Sequence, residues 1–306
     1  MNKSPSTFSI MLRFARPAML AAGAGFYLLG AGMARYLGHP IQWGRFWTGL
    51  AAVLLIQLTS YFLKAYYDLV DATSPLRRMQ KEEDDVDQKA ESKLPQQGVL
   101  MVGTTSMTAG AVITVLLFTM GTINLTFFFF LGIAFLLYFF YAVPPLRLVY
   151  TGYGELVESI VLANLFPALA FILQTGELHR YIAMLTFPLL ALFLAARLAL
   201  SLENYARNLK YGYKNMMVVL GWQRGMRLHN ILIPTGYLLI VLAFTLGLPW
   251  SLTWPALLTV PVGIFEIIQI NQISNGAPPN WRLLNLTAVA LIGMAVYLMN
   301  LALWTG

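Results

Sequence analysis

Nine apolar stretches, each about 20 residues long, restrict the folds open to this chain. A helix needs about 20 predominantly apolar residues to cross the hydrocarbon core of a bilayer. None of the stretches alternates polar and apolar residues as the strands of a membrane barrel do. The sequence therefore predicts an all-α integral membrane protein, with nine transmembrane helices in a bundle around a membrane-open cavity. The predicted spans of this single domain (1–306) cover residues 17–37, 46–66, 100–121, 125–143, 156–174, 181–202, 229–248, 252–273 and 283–303.

Composition excludes a soluble domain and several kinds of chemistry. Only 11% of the 306 residues are charged and 58% are hydrophobic, whereas about a quarter of the residues of an ordinary soluble domain are charged. The chain has no cysteine and only three, widely separated, histidines. Thiolate chemistry is therefore excluded, and a His-rich metal site is disfavoured. The net charge of +7 does not indicate a nucleic-acid partner, because the basic residues lie between apolar stretches.

The basic residues lie mainly in alternate connections. Seventeen of the 20 Lys and Arg residues precede the first span or fall in the second, fourth, sixth and eighth connections, if Arg197 is counted with the sixth. Cytoplasmic connections carry an excess of Lys and Arg. We therefore predict a cytoplasmic N-terminus and an external C-terminus. In this interpretation Arg13, Arg16 and Arg197 are topology markers.

Two long polar connections, both predicted to be cytoplasmic, differ in charge. Residues 64–98 hold eight of the thirteen acidic residues, and their acidic run 82–87 is typical of a solvated loop. Residues 203–228 hold one acid, Glu203, and five basic residues. The candidate functional residues come mainly from these two segments.

Short motifs in these positions resemble those of the UbiA superfamily of intramembrane prenyltransferases. They are Arg16-Pro17, an Asp-bearing stretch after the second span, Pro-Pro-Leu-Arg-Leu at 144–148 followed by Gly154-Glu155, and a polar stretch after the sixth span. Residues 144–159 look most like the menaquinone-pathway branch, which prenylates 1,4-dihydroxy-2-naphthoate. The resemblance implies a protein of a prokaryotic inner membrane that contacts membrane lipids and binds an isoprenoid or quinone ligand.

The acidic motifs that hold magnesium in that family are mostly missing. The resemblance implies Asn-Asp-x-x-Asp-x-x-x-Asp after the second span, and only Asp68 is in register here, with Lys64 at the Asn position. Asp71 is one residue out, about 100° around a helix. Magnesium is expected for the family, but its carboxylate ligands are mostly absent, so we assign no metal ligand. The segment of the second motif carries one acid among amide and basic residues: Glu203, Asn204, Arg207, Asn208, Lys210 and Lys214.

These departures leave more than one function open. The chain could be a degenerate homologue that holds an isoprenoid, quinone or pigment tail, as a subunit of a membrane complex. Alternatively, it is an active polyprenyltransferase in which basic and amide side chains bind the diphosphate directly. Misalignment of the second loop is a third explanation. The candidate catalytic residue is Asp68, and the cavity candidates are Asp71, Arg147, Glu155 and Glu203. The headgroup candidates are Lys64, Arg207, Lys210, Lys214, Asn204 and Asn208.

Simpler structural interpretations compete with these assignments. Lys64 and Asp68 are four residues apart and suit a helical ion pair. The basic residues of 203–228 suit topology determinants or contacts to anionic lipid. Glu155 suits a helix cap or an ion pair with Arg147. Glu266 lies in mid-membrane, where an acid either joins two helices or faces a cavity.

Overall fold

Nine long apolar helices form the bundle in the computed structural model, which describes residues 7–79, 96–119, 121 and 124–306. No strand occurs in this described part, so the predicted all-α membrane fold is confirmed. The acidic run 82–87 lies outside the described residues. Spans 1 to 9 are Ile10–Tyr36, Trp43–Val70, Gln96–Thr119, Leu125–Ala142, Gly154–Thr175, Arg180–Leu202, Trp222–Thr245, Trp250–Ser274 and Trp281–Thr305.

Capping and helix-breaking residues explain several span ends. The side chain of Asn124 accepts a hydrogen bond from the backbone of Phe127 at the start of span 4. Asn280 caps span 9 through Leu283 in the same way, and such caps satisfy N–H groups that have no partner within the helix. Gly176 ends span 5 with a φ of 86°, a left-handed conformation that glycine adopts without steric cost.

Span 5 is the most buried of the nine spans in the described part of the chain, and it packs against spans 1, 2, 4 and 6. Its backbone comes so close to span 1 that a Cβ added at Gly30 would lie 1.9 Å from the carbonyl oxygen of Pro167. Only a glycine allows this approach. The two acidic side chains of span 5, Glu155 and Glu158, lie in its first two turns and are both buried.

Span 1 is broken at Arg16. A helix over Thr7–Ala15 ends there, and a second helix over Pro17–Tyr36 begins immediately afterwards. Arg16 has a φ of 49°, which is uncommon for a residue with a side chain. Arg16 therefore lies at the corner where the two helices meet.

The segment 203–228 is more helical than the sequence predicts. It holds two short helices, Tyr205–Tyr211 and Met216–Leu220, and span 7 begins at Trp222 rather than at 229. The predicted start of span 7 was wrong because Arg224 and Arg227 lower the hydropathy of its first two turns. Both side chains are exposed. Span 2 likewise runs to Val70, so it carries Lys64 and Asp68 on helical backbone.

Candidate functional site

A cavity of about 350 Å³ lies at the end of the bundle where span 2 ends. Its charged lining consists of three cations, Arg13, Arg16 and Lys64, and one acid, Asp68. The rest of the lining is mostly aromatic or apolar: Phe14, Tyr61, Ala65, Leu76, Met79, Tyr150, Asn208 and Tyr213. Such a surface suits an anionic or polar headgroup attached to an apolar group.

Asp68 is buried, with 1% of its side chain exposed, and both of its carboxylate oxygens are engaged. Oδ2 accepts a hydrogen bond from Lys64 Nζ at 2.7 Å. Oδ1 accepts one from the hydroxyl of Tyr150 at 2.6 Å and a second from Arg147. The predicted helical pair between Lys64 and Asp68 is therefore present, as one part of a larger network.

Arg147 bridges the two acidic side chains of this region. Its Nη1 donates to Asp71 Oδ2 at 3.0 Å, and its Nη2 donates to Asp68. Asp71 directly follows the last helical residue of span 2 and has extended backbone. Hydrogen bonds from Thr73 and the nearby Arg147 guanidinium hold the pKa of Asp71 below its usual value.

Two tyrosines form the wall of the cavity beside Lys64. The Lys64 ammonium lies 5.5 Å from the ring centre of Tyr150 and 5.9 Å from that of Tyr213, within the range of cation–π attraction. Burial raises the pKa of Tyr150, and the charge of Asp68 raises it further. The pKa of Tyr213 is also raised, chiefly by burial. Both phenols therefore remain protonated hydrogen-bond donors at neutral pH.

A second ionic cluster centres on the fully buried Glu158. Its Oε1 accepts hydrogen bonds from Arg16 Nη1 at 3.0 Å and from the Tyr61 hydroxyl at 2.9 Å. Its Oε2 lies 2.8 Å from Nη2 of Arg197 in span 6. This cluster was not predicted from the sequence, although an acid among apolar residues at a span entrance signals a buried partner.

Residues 23–289 match the model of the UbiA prenyltransferase family. The chain belongs to this family.

Solved UbiA-family structures share the fold over nearly the whole chain. One is a UbiA homolog from Archaeoglobus fulgidus bound to GPP and Mg²⁺, with 14% identity, a TM-score of 0.62, and coverage of 94% of this chain and 99% of that one. Another comes from work on digeranylgeranylglyceryl phosphate synthase, with 13% identity, a TM-score of 0.62, and coverage of 98% and 99%.

A curated relative matches a smaller part of the chain. It is the 1,4-dihydroxy-2-naphthoate octaprenyltransferase of Bacillus subtilis (strain 168), 23% identical over 103 residues. The match spans 34% of this chain and 33% of that protein.

In this UbiA-family chain the predicted headgroup residues of segment 203–228 are spread out. Within the described chain, Asn208 is the one candidate of this segment that lines the cavity with Lys64. Gly212, with a φ of 76°, ends the helix that carries Arg207 and Lys210, so Lys214 lies outside it. In this described segment, no single helix therefore carries all three cations on one face. The other polar candidates here are exposed, and Glu203 accepts a hydrogen bond from Asn285 at 2.6 Å.

Two further predictions concern the acidic residues Glu155 and Glu266. Glu155 accepts a hydrogen bond from the backbone N–H of Met216 at 3.1 Å. The expected pairing of Glu155 with Arg147 was wrong, because Arg147 is held by Asp68 and Asp71 at the end of span 2. Glu266 lies 3.0 Å from Nε2 of His229 in span 7, so it joins two helices.

The donor set around Asp68 does not fit the magnesium ion that the UbiA family implies. Mg²⁺ requires oxygen ligands in near-octahedral geometry, but the Asp68 oxygens already accept hydrogen bonds from an ammonium, a guanidinium and a phenol. In the described residues no three Asp, Glu or His side chains come together as a metal site. Binding of Mg²⁺ at Asp68 would require displacement of Lys64 or Arg147.

Proposed function

We propose that this UbiA-family protein is a degenerate prenyltransferase homologue that binds an isoprenoid or quinone ligand without magnesium. The observation that carries the proposal is the position of Arg147, whose guanidinium contacts both Asp68 and Asp71. It supplies positive charge between two carboxylates, where a divalent ion would otherwise neutralise them.

The chemistry of prenyl transfer supports a loss of catalysis. Heterolysis of the C–O bond of an allylic diphosphate gives an allylic cation and adds one negative charge to the diphosphate that leaves, and a bound metal ion contributes several kcal/mol to the stabilisation of that leaving group. Arg13, Arg16 and Lys64 give the cavity a positive charge that attracts an anion. Fixed cations of this kind favour binding of an anionic headgroup. They do so whether or not the bond between the headgroup and the prenyl tail is cleaved.

The shape of the cavity supports a ligand with a small head and a long tail. About 350 Å³ accommodates a diphosphate or a quinone ring, whereas a polyprenyl chain requires the adjoining membrane. The ammonium of Lys64 and the phenols of Tyr150 and Tyr213 can donate to head-group oxygens.

We predict that magnesium has little effect on binding of geranyl diphosphate. Calorimetric titration in nanodiscs, with EDTA or with millimolar Mg²⁺, is expected to give affinities that agree within threefold, because Asp68 and Asp71 are already neutralised. A magnesium-dependent gain above about tenfold, which corresponds to about 1.4 kcal/mol, would contradict the proposal.

The alternative function is an active polyprenyltransferase of the menaquinone pathway. The similarity to a 1,4-dihydroxy-2-naphthoate octaprenyltransferase and the basic cavity favour it. Incubation of the purified protein with a prenyl diphosphate and 1,4-dihydroxy-2-naphthoate, with and without Mg²⁺, separates the two. Multiple-turnover formation of the prenylated product would establish the alternative and overturn the binding role.

We also propose that the cavity faces the cytoplasm, because it lies among the connections that carry 17 of the 20 basic residues. A reporter fused after Gly306 is expected to lie outside the cytoplasm, and one inserted after Gln88 inside it. Paired alkaline phosphatase and green fluorescent protein fusions measure this. Finding both positions on the same side would contradict the nine-span orientation.

A further inference from the structure

We propose that Glu158 is a positioning residue, which holds the Arg16 guanidinium at the cavity wall so that Arg16 binds an anionic headgroup. The inference rests on the proposed function, because it takes the cavity as the headgroup site. Glu158 does not itself line the cavity. It determines the position of Arg16, which is one of the lining cations.

The backbone at Arg16 indicates that its position is imposed by its surroundings. A φ of 49° at a residue with a side chain is unfavourable and persists where neighbouring contacts hold it. The contacts here are the ion pair with Glu158 and the ring of Tyr61, whose centre lies 4.8 Å from Arg16 Cζ. Glu158 thus holds the corner between the two helices of span 1.

The guanidinium of Arg16 retains donors that an anion can use. Among the described residues, only its Nη1 donates hydrogen bonds, to Glu158 at 3.0 Å and to Tyr141 at 3.5 Å. Thirty per cent of the side chain is exposed, and it lines the cavity. Toward the described residues Nε and Nη2 donate no hydrogen bond and can serve a ligand, and guanidinium groups bind phosphate oxygens through two parallel hydrogen bonds.

Arg197 holds Glu158 from the opposite side. It contacts Oε2 at 2.8 Å and does not line the cavity. The carboxylate of Glu158 therefore lies between two guanidinium groups, one from span 1 and one from span 6. Arg197 of span 6 thus holds Glu158, and Glu158 in turn orients Arg16 of span 1.

The test compares geranyl diphosphate with geraniol, which has the same tail and a neutral headgroup. In Glu158→Gln we expect the affinity for geranyl diphosphate to fall at least tenfold and that for geraniol to stay within twofold. Removal of a nearby negative charge would by itself tighten anion binding, so the sign of the change separates positioning from long-range electrostatics. Unchanged or tighter binding of geranyl diphosphate would overturn the proposal.

Two more variants keep the result interpretable. Glu158→Asp retains the buried charge but withdraws the carboxylate by one methylene, and we expect at least a threefold fall for geranyl diphosphate. If Glu158→Gln does not fold, wild-type affinity in Glu158→Asp overturns the proposal. Glu266→Gln removes another fully buried carboxylate, one paired with His229, and should leave the ratio of the two affinities unchanged. A similar fall in Glu266→Gln would mean that loss of any buried charge produces the effect.

The wild-type protein separates this inference from the function on which it rests. If wild type binds geranyl diphosphate no better than geraniol, the anionic-headgroup function and the role of Glu158 both fail. If wild type prefers the diphosphate and Glu158→Gln keeps that preference, only the positioning role fails.

Discussion

Replacement of Arg147 by glutamine is expected to lower the free energy of unfolding by about 3 kcal/mol, the lower end of the range for breaking a buried ion pair. Arg147 has 14% of its side chain exposed and contacts Asp68, which has 1% exposed. Without the guanidinium, Asp68 and Asp71 face each other with less positive charge between them. SDS titration of the protein in mixed micelles measures the loss.

The same variant is expected to gain a response to divalent cations. With Arg147 gone, two carboxylates become available to Mg²⁺ or Mn²⁺, and an ion present at ten times its Kd would restore about 1.4 kcal/mol. Wild-type protein should show no such stabilisation. Arg77→Gln is the matched control, because Arg77 donates to the Leu69 carbonyl instead. If divalent ions do not stabilise Arg147→Gln more than the control, Arg147 does not stand in for a metal ion.

Gly30→Ala is expected to destabilise the bundle by about 3 kcal/mol or more, at or beyond the upper end of the usual cost of overpacking a core. The new methyl group would lie 1.9 Å from the carbonyl oxygen and 2.6 Å from the carbonyl carbon of Pro167. Both are backbone atoms, so no side-chain rotation relieves the clash, and spans 1 and 5 must separate. Thermal unfolding monitored by fluorescence-detected size-exclusion chromatography measures the effect.

Gly132→Ala in span 4 is the control for this substitution. A Cβ at Gly132 meets no atom within 4 Å, so the change adds a methyl group to a spanning helix without a clash. We expect its melting temperature to stay close to that of the wild type. Equal behaviour of the two variants would mean that the contact between spans 1 and 5 is looser than the distances indicate.

The membrane fold could be predicted because each span must satisfy its own backbone hydrogen bonds in lipid, which makes the sequence signal local. Hydropathy alone does not detect helical turns that extend beyond the apolar stretch. The start of span 7 was therefore predicted at residue 229, whereas the helix begins seven residues earlier, at 222. The helix Thr7–Ala15, which precedes the break at Arg16, lies before the first predicted span (17–37) and was not predicted.

The site was less predictable because its contacts join distant parts of the chain. The pair of Lys64 and Asp68 follows from helical spacing. By contrast, Arg147 reaches Asp68 across 79 residues, and no local pattern shows which acid an arginine will meet. The arrangement of the basic residues of 203–228 could not be predicted for the same reason. Their charge could be read from the sequence, but the turn at Gly212 that separates Lys214 from Arg207 depends on the folded segment.

Biosynthesis separates Arg16 from its counter-ion in time. Glu158 lies 142 residues further along the chain, which at about 5–20 residues per second amounts to about 7–30 s of translation. During that interval Arg16 must remain hydrated near the lipid headgroups, and in the proposed orientation a cation at this position retains the first helix on the cytoplasmic side. The same guanidinium is therefore expected to act first as a signal for membrane insertion, and only after span 5 has entered the bilayer as half of an internal ion pair.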